Sequence, residues 1–216
     1  METPHTRRMV SLSDYEWADL IDSVDKVRML ADPTSTYARA AAAAMGRSMD
    51  DVLIAAMTGK AGITATALPA GQKIAHGSAG LTIAKLVSAK KILDANSIDP
   101  SIPRYIAVSP EQIEDLLNTT TVTSADFNTV KALVQGDIDT FVGFKFIVTN
   151  RLTDDGTSRL CPAWAEDGVK LGIGKDVNAQ ITERPDKSYS TQVYYCMSIG
   201  ATRMEEEKVV QIACNE

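Results

Sequence analysis

Residues 32–59, DPTSTYARAAAAAMGRSMDDVLIAAMTG, carry the pattern of one long helix. Asp32 is a favourable N-cap residue, Pro33 suits the first helical position, and Gly59 is a favourable stop. Between these ends the apolar residues recur at spacings of three and four, and they form the stripe Tyr37, Ala41, Met45, Met49, Val52 and Ala56. The pattern predicts a helix over residues 33–57. Because eight residues of the stretch are alanine, the helix is thin, and we expect a sheet or a second helix to approach it closely.

The N-terminal segment contains another helix-start signal. Residues 4–12 begin with a proline and alternate loosely between polar and apolar side chains, which predicts an extended segment. Ser13 and Glu16 then have the spacing of a capping box, so a short helical turn is predicted over residues 14–22. The face that this turn would bury consists of Trp17, Leu20 and Ile21.

The middle of the chain alternates helix and strand. Residues 82–96 have a clear amphipathic pattern, whose apolar stripe consists of Ile83, Leu86, Val87, Ile92 and Leu93. Residues 105–108 predict a short buried strand. Ser109 then predicts the cap of the next helix, with Gln112 at the third position after the cap. A further short helix is predicted over residues 126–134.

The last third of the chain is rich in β-forming residues. Residues 146–148 belong to a strongly β-prone run, and residues 154–156 predict a turn. After Cys161 short strands alternate with turns, and Gly172 and Gly174 are assigned to a tight turn between two of these strands. The order of mixed helix and strand first, followed by antiparallel strands, predicts the α+β class.

The charge balance disfavours a protein that grips nucleic acid. The formal net charge is −6 and the isoelectric point is near 5.0. Proteins that bind nucleic acid usually carry a basic stripe. Here the pair formed by Arg7 and Arg8 is followed almost at once by four acidic residues between positions 14 and 22. The sequence therefore disfavours specific DNA binding, but it permits a surface that lies near DNA without adhering to it.

Targeting and metal-binding patterns do not occur in the sequence. No run is apolar enough to span a membrane, and the N-terminus lacks the apolar core of a signal peptide, so we expect an intracellular, soluble protein without a membrane partner. The cysteines, Cys161, Cys196 and Cys214, are widely spaced, which predicts reduced and partly buried thiols. The two histidines, His5 and His76, lie in polar, turn-like sequence.

Motifs for catalysis fail on their spacing. The stretch GVKLGIGKD has five residues between Gly168 and Gly174, whereas a phosphate-binding loop needs four, and Asp176 replaces the required hydroxyl residue. Ser109 lacks the glycines of a nucleophile elbow and a suitable histidine, so it is interpreted as a helix cap. The sequence predicts no catalytic residues, no metal site and no cofactor.

Five blocks cover nearly the whole chain in order: TPHTRRMVSLSDYEWADLID, DPTSTYARAAAAAMGRSMDDVLIAA, PRYIAVSPEQIEDLL, GDIDTFVGFKFIVTNRL and GATRMEEEKVVQIACNE. Together they resemble a tailed-bacteriophage major capsid protein, which implies the Hong Kong 97-type shell fold. Members of this family usually carry an N-terminal arm and an outgoing loop strand before the first block. This sequence starts almost on that block, so we expect either a short version or a fragment.

The resemblance implies four parts of the chain. Residues 1–31 would be part of the extended-loop arm and its connector, and residues 32–79 the peripheral domain with the long spine helix. Residues 80–165 would form the axial domain. Residues 166–216 would be the return strands of the peripheral domain, long and antiparallel, against which the spine helix lies.

The implied function is structural. Such a subunit self-assembles through pentamers and hexamers into the icosahedral shell that encloses a tailed phage's double-stranded DNA, and it is not an enzyme. Scaffolding, portal and decoration proteins are implied as further partners, and the DNA is packaged without sequence-specific binding. The implied location is the virion capsid, after assembly in the cytoplasm of the host bacterium.

Two segments that are expected at the edges of the subunit carry opposite charges, which predicts a contact between adjacent subunits. Shell building needs many modest contacts repeated by symmetry rather than an active site. Arg7 and Arg8 on the loop arm are expected to pair with acidic residues of an adjacent subunit, among Glu205, Glu206 and Glu207. The alternative is ordinary solvent exposure of these charges.

Two other functions fit the same sequence. A bacterial encapsulin-type nanocompartment shares the plate fold and would enclose enzymes instead of a genome. A small α+β enzyme or ligand-binding module, using the loop after Gly59, would be a monomer or small oligomer with a deep pocket. Shells or capsomer rings would favour the structural functions, and a stable monomer with a ligand would favour the third.

Overall fold

The structure, a computed structural model, describes residues 7–22, 34–59, 67–118 and 140–215. Its strands and helices are, in chain order, β1 (Ser13–Ile21), α1 (Thr34–Thr58), β2 (Lys73–Ile74), α2 (Ile83–Ala95), β3 (Arg104–Val108), α3 (Pro110–Asn118), β4 (Thr140–Phe141), β5 (Phe144–Val148), β6 (Ser158–Ala165), β7 (Val169–Arg184), β8 (Ser190–Arg203) and β9 (Val209–Asn215). The predicted cap residues Asp32 and Pro33 and the predicted helix over residues 126–134 lie outside the described residues.

The chain divides into two compact units. The first unit comprises residues 1–8, 53–170 and 202–216, and it contains a six-stranded sheet in the order β2-β9-β6-β3-β5-β4. The second unit comprises residues 9–52 and 171–201, and it contains most of a three-stranded sheet in the order β1-β8-β7. The second unit also contains residues 34–52 of α1.

Helix α1 confirms the predicted long helix. It has 25 residues, which correspond to about 37 Å at 1.5 Å per residue. The predicted stripe is its least exposed side: Ala41, Met45, Val52 and Ala56 are buried, and Tyr37 and Met49 are partly buried. Gly59 ends the helix with a positive φ of 72°, and its N–H donates to the carbonyl of Ala55 at 3.0 Å.

The segment predicted as a short helical turn is the strand β1, so that prediction was wrong. β1 pairs with β8 in antiparallel register along its full length, beginning with Ser13 opposite Ile199. Burial alternates along β1 with a period of two, and Leu20, which a helix would bury, is 44% exposed. Pairing with a strand from the other end of the sequence outweighs the local capping signal, because hydrogen bonds along the whole ladder replace the few of a single helical turn.

Strand β7 is continuous over 16 residues, where the sequence predicted two strands joined by a tight turn at Gly172 and Gly174. That prediction was wrong, because both glycines lie inside the strand. Both face residues of the segment 10–12: Cγ1 of Val10 lies 3.3 Å from the position of a Cβ atom on Gly172, and Cδ1 of Leu12 lies 2.5 Å from that on Gly174. Among the described strands β7 is an edge of its sheet, and twelve of its 16 residues are exposed.

The first unit is built around its mixed six-stranded sheet. β3 pairs parallel with β5 and antiparallel with β6, and β6 pairs antiparallel with β9. The hydrophobic core combines this sheet with α2 and α3, and its fully buried side chains include Leu86, Leu93, Ile106, Leu116, Phe144 and Ile212. The α2 prediction is confirmed except at Val87, which is 52% exposed, while Ala89 lies on the buried side instead.

Two predicted local motifs are confirmed. At the start of α3 the backbone N–H of Ser109 donates to Oε1 of Gln112 at 2.9 Å, and the Ser109 hydroxyl donates to the same oxygen. In the turn at residues 154–156, Oδ1 of Asp154 accepts from the N–H of Gly156 at 2.7 Å. The Ser109 hydroxyl is therefore used to organise a helix start, in a buried position.

Candidate subunit interface

The structure brings two of the five predicted interface residues together within one chain. Nη1 of Arg8 lies 3.2 Å from Oε1 of Glu206, and the two side chains are 32% and 27% exposed. Solvent screens such a pair, so it contributes at most about 1 kcal/mol to stability. Arg7 is exposed. Arg8 thus has an acidic partner within its own chain.

Lys208 holds the first residue of the acidic run. Its Nζ lies 2.5 Å from Oδ2 of Asp167 and 3.2 Å from Oε1 of Glu205. The hydrogen bond to Asp167, helped by a second one to Glu205, raises the pKa of Lys208 against the opposing effect of burial. Glu207 is exposed, and its backbone carbonyl accepts from Nδ2 of Asn96 at 3.0 Å. Glu207 is therefore the member of the run that is best placed to meet another molecule.

Arg203 is a charged residue of this region that the sequence patterns did not predict. It is 2% exposed, and its Nη1 donates to the carbonyl of Met57 at 3.1 Å, in the last turn of α1. Burial lowers the pKa of Arg203, the charge of Glu206 opposes that effect, and the charge of Arg8 adds to it. Glu206 therefore acts on two arginines. Arg203 in turn binds one of the helix carbonyls that have no partner inside a helix.

Residues 10–12 cross the three-stranded sheet over three glycines, which we call the glycine track: Gly172, Gly174 and Gly200. A Cβ atom on Gly200 would lie 2.2 Å from the carbonyl oxygen of Ser11. A Cβ atom on Gly174 would lie 2.5 Å from Cδ1 of Leu12. The first of these neighbours is backbone, which cannot rotate away as a side chain can. The glycine track therefore fixes the path by which this segment enters β1.

Strand β7 exposes both an edge and several apolar side chains. Ile173, Val177 and Ile181 are 53%, 37% and 52% exposed. Tyr189, at the tip of the β7–β8 hairpin, is 68% exposed and has a positive φ of 57°. A long exposed edge strand with apolar residues is a template for pairing with another chain unless it is covered. This edge is a second candidate for contact between subunits.

Comparison with known proteins identifies the family. A family model described as phage capsid protein matches residues 1–216. The chain belongs to the phage capsid protein family. Curated proteins show no match to this capsid protein, but solved structures do. The structure from Mycobacterium phage Che8 has a TM-score of 0.66 at 20% identity, with 93% of this chain and 70% of that chain covered. The capsid structure of Cyanophage P-SCSP1u has a TM-score of 0.72 at 18% identity, with 100% and 80% covered.

An encapsulin also shares the fold of this capsid protein. The holo-SrpI encapsulin complex from Synechococcus elongatus PCC 7942 has a TM-score of 0.60 at 10% identity, with 96% of this chain and 75% of that chain covered. Likeness at such low identity shows the fold alone, so the whole-chain family match decides between the two kinds of shell. The predicted α+β class, Hong Kong 97-type fold and phage capsid function are confirmed. A capsid protein is homo-oligomeric, and its location is the virion capsid.

The cysteines and the histidines are the residue types that catalytic and metal sites use most often. The three cysteines are all buried. Nδ1 of His76 accepts from the N–H of Ser78 at 3.0 Å within a turn, and His5 lies outside the described residues. In the part of the chain that the structure describes, no three His, Cys, Asp or Glu side chains cluster closely enough to share a metal ion. Within the same ranges no helix combines the length and apolarity that crossing a membrane requires.

Proposed function

We propose that this capsid protein is the major shell subunit of an icosahedral capsid that encloses the double-stranded DNA of a tailed phage, and that it has no catalytic activity. The whole-chain family match is the observation that carries the proposal. The exposed edge of β7 supports it, because a shell contact repeated by symmetry can cover an edge that a single chain leaves open. In such a shell the subunits form pentamers and hexamers.

The proposal assigns the parts of the subunit. Residues 1–31 serve as loop arm and connector, residues 32–79 and 166–216 as the peripheral domain, and residues 80–165 as the axial domain. The two compact units divide the chain at other positions, because residues 202–216 belong with residues 53–170. Contacts around the symmetry axes are proposed for loops of the axial domain.

The charged residues described above form the proposed subunit interface. Arg7 and Glu207 are exposed, and they would pair with opposite charges on adjacent subunits. Arg8, Glu205 and Glu206 have ion-pair partners within the chain. In the free subunit these pairs would keep the charged surface ordered, and on assembly the residues would exchange them for partners on an adjacent subunit. Each such pair is weak at this exposure, and the contact gains strength from repetition around the shell.

The inner surface of the proposed shell would face the packaged DNA without binding it. The net charge of −6 repels phosphate groups at long range. Scaffolding, portal and decoration proteins are the further partners in this proposal, and assembly takes place in the host cytoplasm. Tight, salt-sensitive binding of duplex DNA by purified subunits would contradict this account of the inner surface.

Expression of the chain alone, followed by sedimentation and negative-stain electron microscopy, tests the shell function. We expect shells or capsomer rings. A chain that stays a monomer at every concentration examined, and that binds a small ligand in a deep pocket, would contradict the proposal and favour a ligand-binding module.

A charge reversal tests the interface separately. The double variant Arg7→Glu/Arg8→Glu should lose shells while its circular dichroism spectrum and its melting temperature stay close to those of the original chain. Adding Glu206→Arg and Glu207→Arg to that variant should restore shells, because the signs again match. Lys91→Glu, at an exposed position on α2, is the control for a charge change elsewhere. Normal shells from the double variant would remove these residues from the interface.

A further inference from the structure

The proposed shell contacts make no use of a polar cluster on the three-stranded sheet. Its members are Glu16 on β1, Tyr194 and Cys196 on β8, and Lys175 on β7, and all four residues belong to the second unit. β8 is the central strand of this sheet, and Glu16 lies directly opposite Cys196 in the register between β1 and β8. The thiol of Cys196 is therefore placed among ionisable side chains from both neighbouring strands.

The lysine of this cluster is in direct contact with the sulfur. Nζ of Lys175 donates to Sγ of Cys196 at 3.1 Å. Reacting atoms in a near-attack geometry are held about 3–3.5 Å apart, so a bond between this nitrogen and this sulfur needs only a closer approach of the same two atoms. The two strands that carry them are neighbours in the sheet, which keeps the pair together.

The carboxylate of the cluster has a different partner. The hydroxyl of Tyr194 donates to Oε1 of Glu16 at 2.9 Å. This hydrogen bond, with burial and a further hydrogen bond to Cys196, raises the pKa of Tyr194 to about 12. Tyr194 therefore keeps its proton and occupies Glu16, and the ammonium of Lys175 is the cation beside the sulfur. A neighbouring cation favours the thiolate, which is the form of cysteine that peroxides oxidise.

Cys196 is also the most exposed of the three thiols. It is 8% exposed, whereas Cys161 and Cys214 are 0% exposed. Lys175 is exposed, so solvent reaches the lysine side of the pair. Because access and thiolate character together decide which cysteine a peroxide oxidises, Cys196 is the thiol of this chain that should react first.

We propose that Lys175 and Cys196 form a covalent sulfur–nitrogen cross-link, a sulfenamide, when a peroxide oxidises the thiol. Hydrogen peroxide transfers one oxygen atom to the sulfur, which gives a sulfenic acid, and its second oxygen leaves as water. Lys175, after its ammonium has released one proton to the solvent, attacks the sulfur. The sulfur–oxygen bond breaks, and the hydroxide leaves as water with a second proton from the nitrogen. The sulfur thus loses two electrons, and the peroxide is reduced to two molecules of water.

The cross-link would join the open edge strand β7 to the central strand β8. It closes the loop between residues 175 and 196, and it constrains the unfolded chain as a disulfide does. The cytoplasm keeps thiols reduced, so in the proposed function the bond would form after the particle has left the host cell. Only this timing rests on the proposed function, because the chemistry needs one chain alone.

Mass spectrometry of the full capsid chain, before and after treatment with hydrogen peroxide, tests the cross-link. We expect the mass of the intact chain to fall by about 2 Da, because two hydrogen atoms are lost, and a proteolytic fragment to join the peptides of Lys175 and Cys196. A thiol reductant should restore the original mass. Lys170→Met, which removes another exposed lysine of β7, should cross-link like the original chain.

Lys175→Arg separates the charge from the bond. It keeps a cation beside the sulfur, but its guanidinium stays protonated and does not attack. We expect no mass decrease in this variant, and a sulfenic acid at Cys196 that dimedone traps. A mass decrease that persists in Lys175→Arg would indicate a disulfide or a link to backbone nitrogen and would overturn the proposal, as would an original chain that shows no decrease. Circular dichroism checks that the variants fold, and no result depends on whether shells form.

Discussion

The two compact units of this capsid protein differ in how much surface they leave uncovered. The first unit encloses a core between its six-stranded sheet and two helices, and it satisfies even a partly buried ammonium group. Nζ of Lys85 donates to the carbonyls of Ala79, Gly80 and Ala213 at 2.6, 2.7 and 3.1 Å, while burial lowers the pKa of Lys85. In the second unit, β7 is an open edge along nearly all of its length. The first unit encloses its core, and the second has an edge strand that no other described strand covers.

This difference indicates that stability and assembly depend on different residues. A substitution inside the first unit should alter the free energy of unfolding. A substitution on the open edge of the second unit should alter self-association and leave the free energy of unfolding nearly unchanged.

The largest expected effect is on assembly. Val177→Lys places a charge on the open edge of β7, where charged residues prevent strand pairing. We expect loss of particles by electron microscopy with an unchanged melting temperature. Val87→Lys makes the same substitution at an exposed valine of the first unit and should assemble normally. Normal particles from Val177→Lys would mean that the edge is not a contact between subunits.

The next effect is on the stability of the first unit. Lys85→Met keeps most of the side-chain volume but removes the donor to three carbonyls, which should lower the free energy of unfolding by about 1–3 kcal/mol. Urea unfolding followed by circular dichroism measures this change. Lys91→Met, on the exposed side of the same helix, should stay within about 0.5 kcal/mol of the original chain. Equal urea midpoints for the two variants would contradict the role of Lys85.

Gly200→Ala tests the glycine track. The new Cβ atom would meet the backbone of Ser11, so residues 10–12 must move, and overpacking of this kind lowers the free energy of unfolding by about 1–3 kcal/mol. Limited proteolysis should also cut near residues 10–12 sooner than in the original chain. An unchanged cleavage pattern would show that the segment does not depend on the track.

Gly46→Ala is the same substitution at a position where we expect the opposite change in stability. Gly46 lies in α1, is exposed, and has no atom within 4 Å of the position of an added Cβ. Alanine there should raise the free energy of unfolding by about 1 kcal/mol, because glycine is the poorer helix former. The same chemical change thus has opposite signs at two glycines. A loss of stability at Gly46 would reveal a packing role that the structure does not contain.

The smallest effect concerns the tip of the β7–β8 hairpin. Nε and Nη2 of Arg184 donate to the carboxylate of Asp186 at 2.8 and 2.7 Å, and this lowers the pKa of Asp186 to about 2. Because the folded pKa lies below the ordinary 3.8, the contribution of this pair is present above pH 3.8 and is lost as the pH falls toward 2. A carbon-13 NMR titration should give a carboxyl pKa near 2, which Arg184→Gln should move back toward 3.8.

The elements that the sequence predicted well are those with local causes. The stripe of α1 and the Ser109–Gln112 cap depend on residues within one or two turns. β1 was predicted wrongly because its partner is β8, near the other end of the chain, and a capping spacing carries no information about that partner. Gly172 and Gly174 were interpreted as a turn because the segment that passes over them, residues 10–12, lies far away in the sequence.

The candidate interface shows the same limit. Opposite charge predicted a pairing of Arg7 and Arg8 with the acidic run of an adjacent subunit, and this pairing between subunits stays a prediction. The sign of a charge does not say whether the partner belongs to the same chain, and in the structure Arg8 pairs with Glu206 of its own chain. Arg203 could not be predicted, because its partner is the backbone carbonyl of Met57, and a backbone atom has no sequence signature.

The glycine track also constrains the order of events during synthesis. Residues 10–12 are synthesised about 160 residues before Gly172 and Gly174, and still longer before Gly200. They must therefore remain undocked until these later strands have been made. Contacts of such wide sequence separation form slowly. A nascent chain that ends before β8 lacks the surface on which this segment packs.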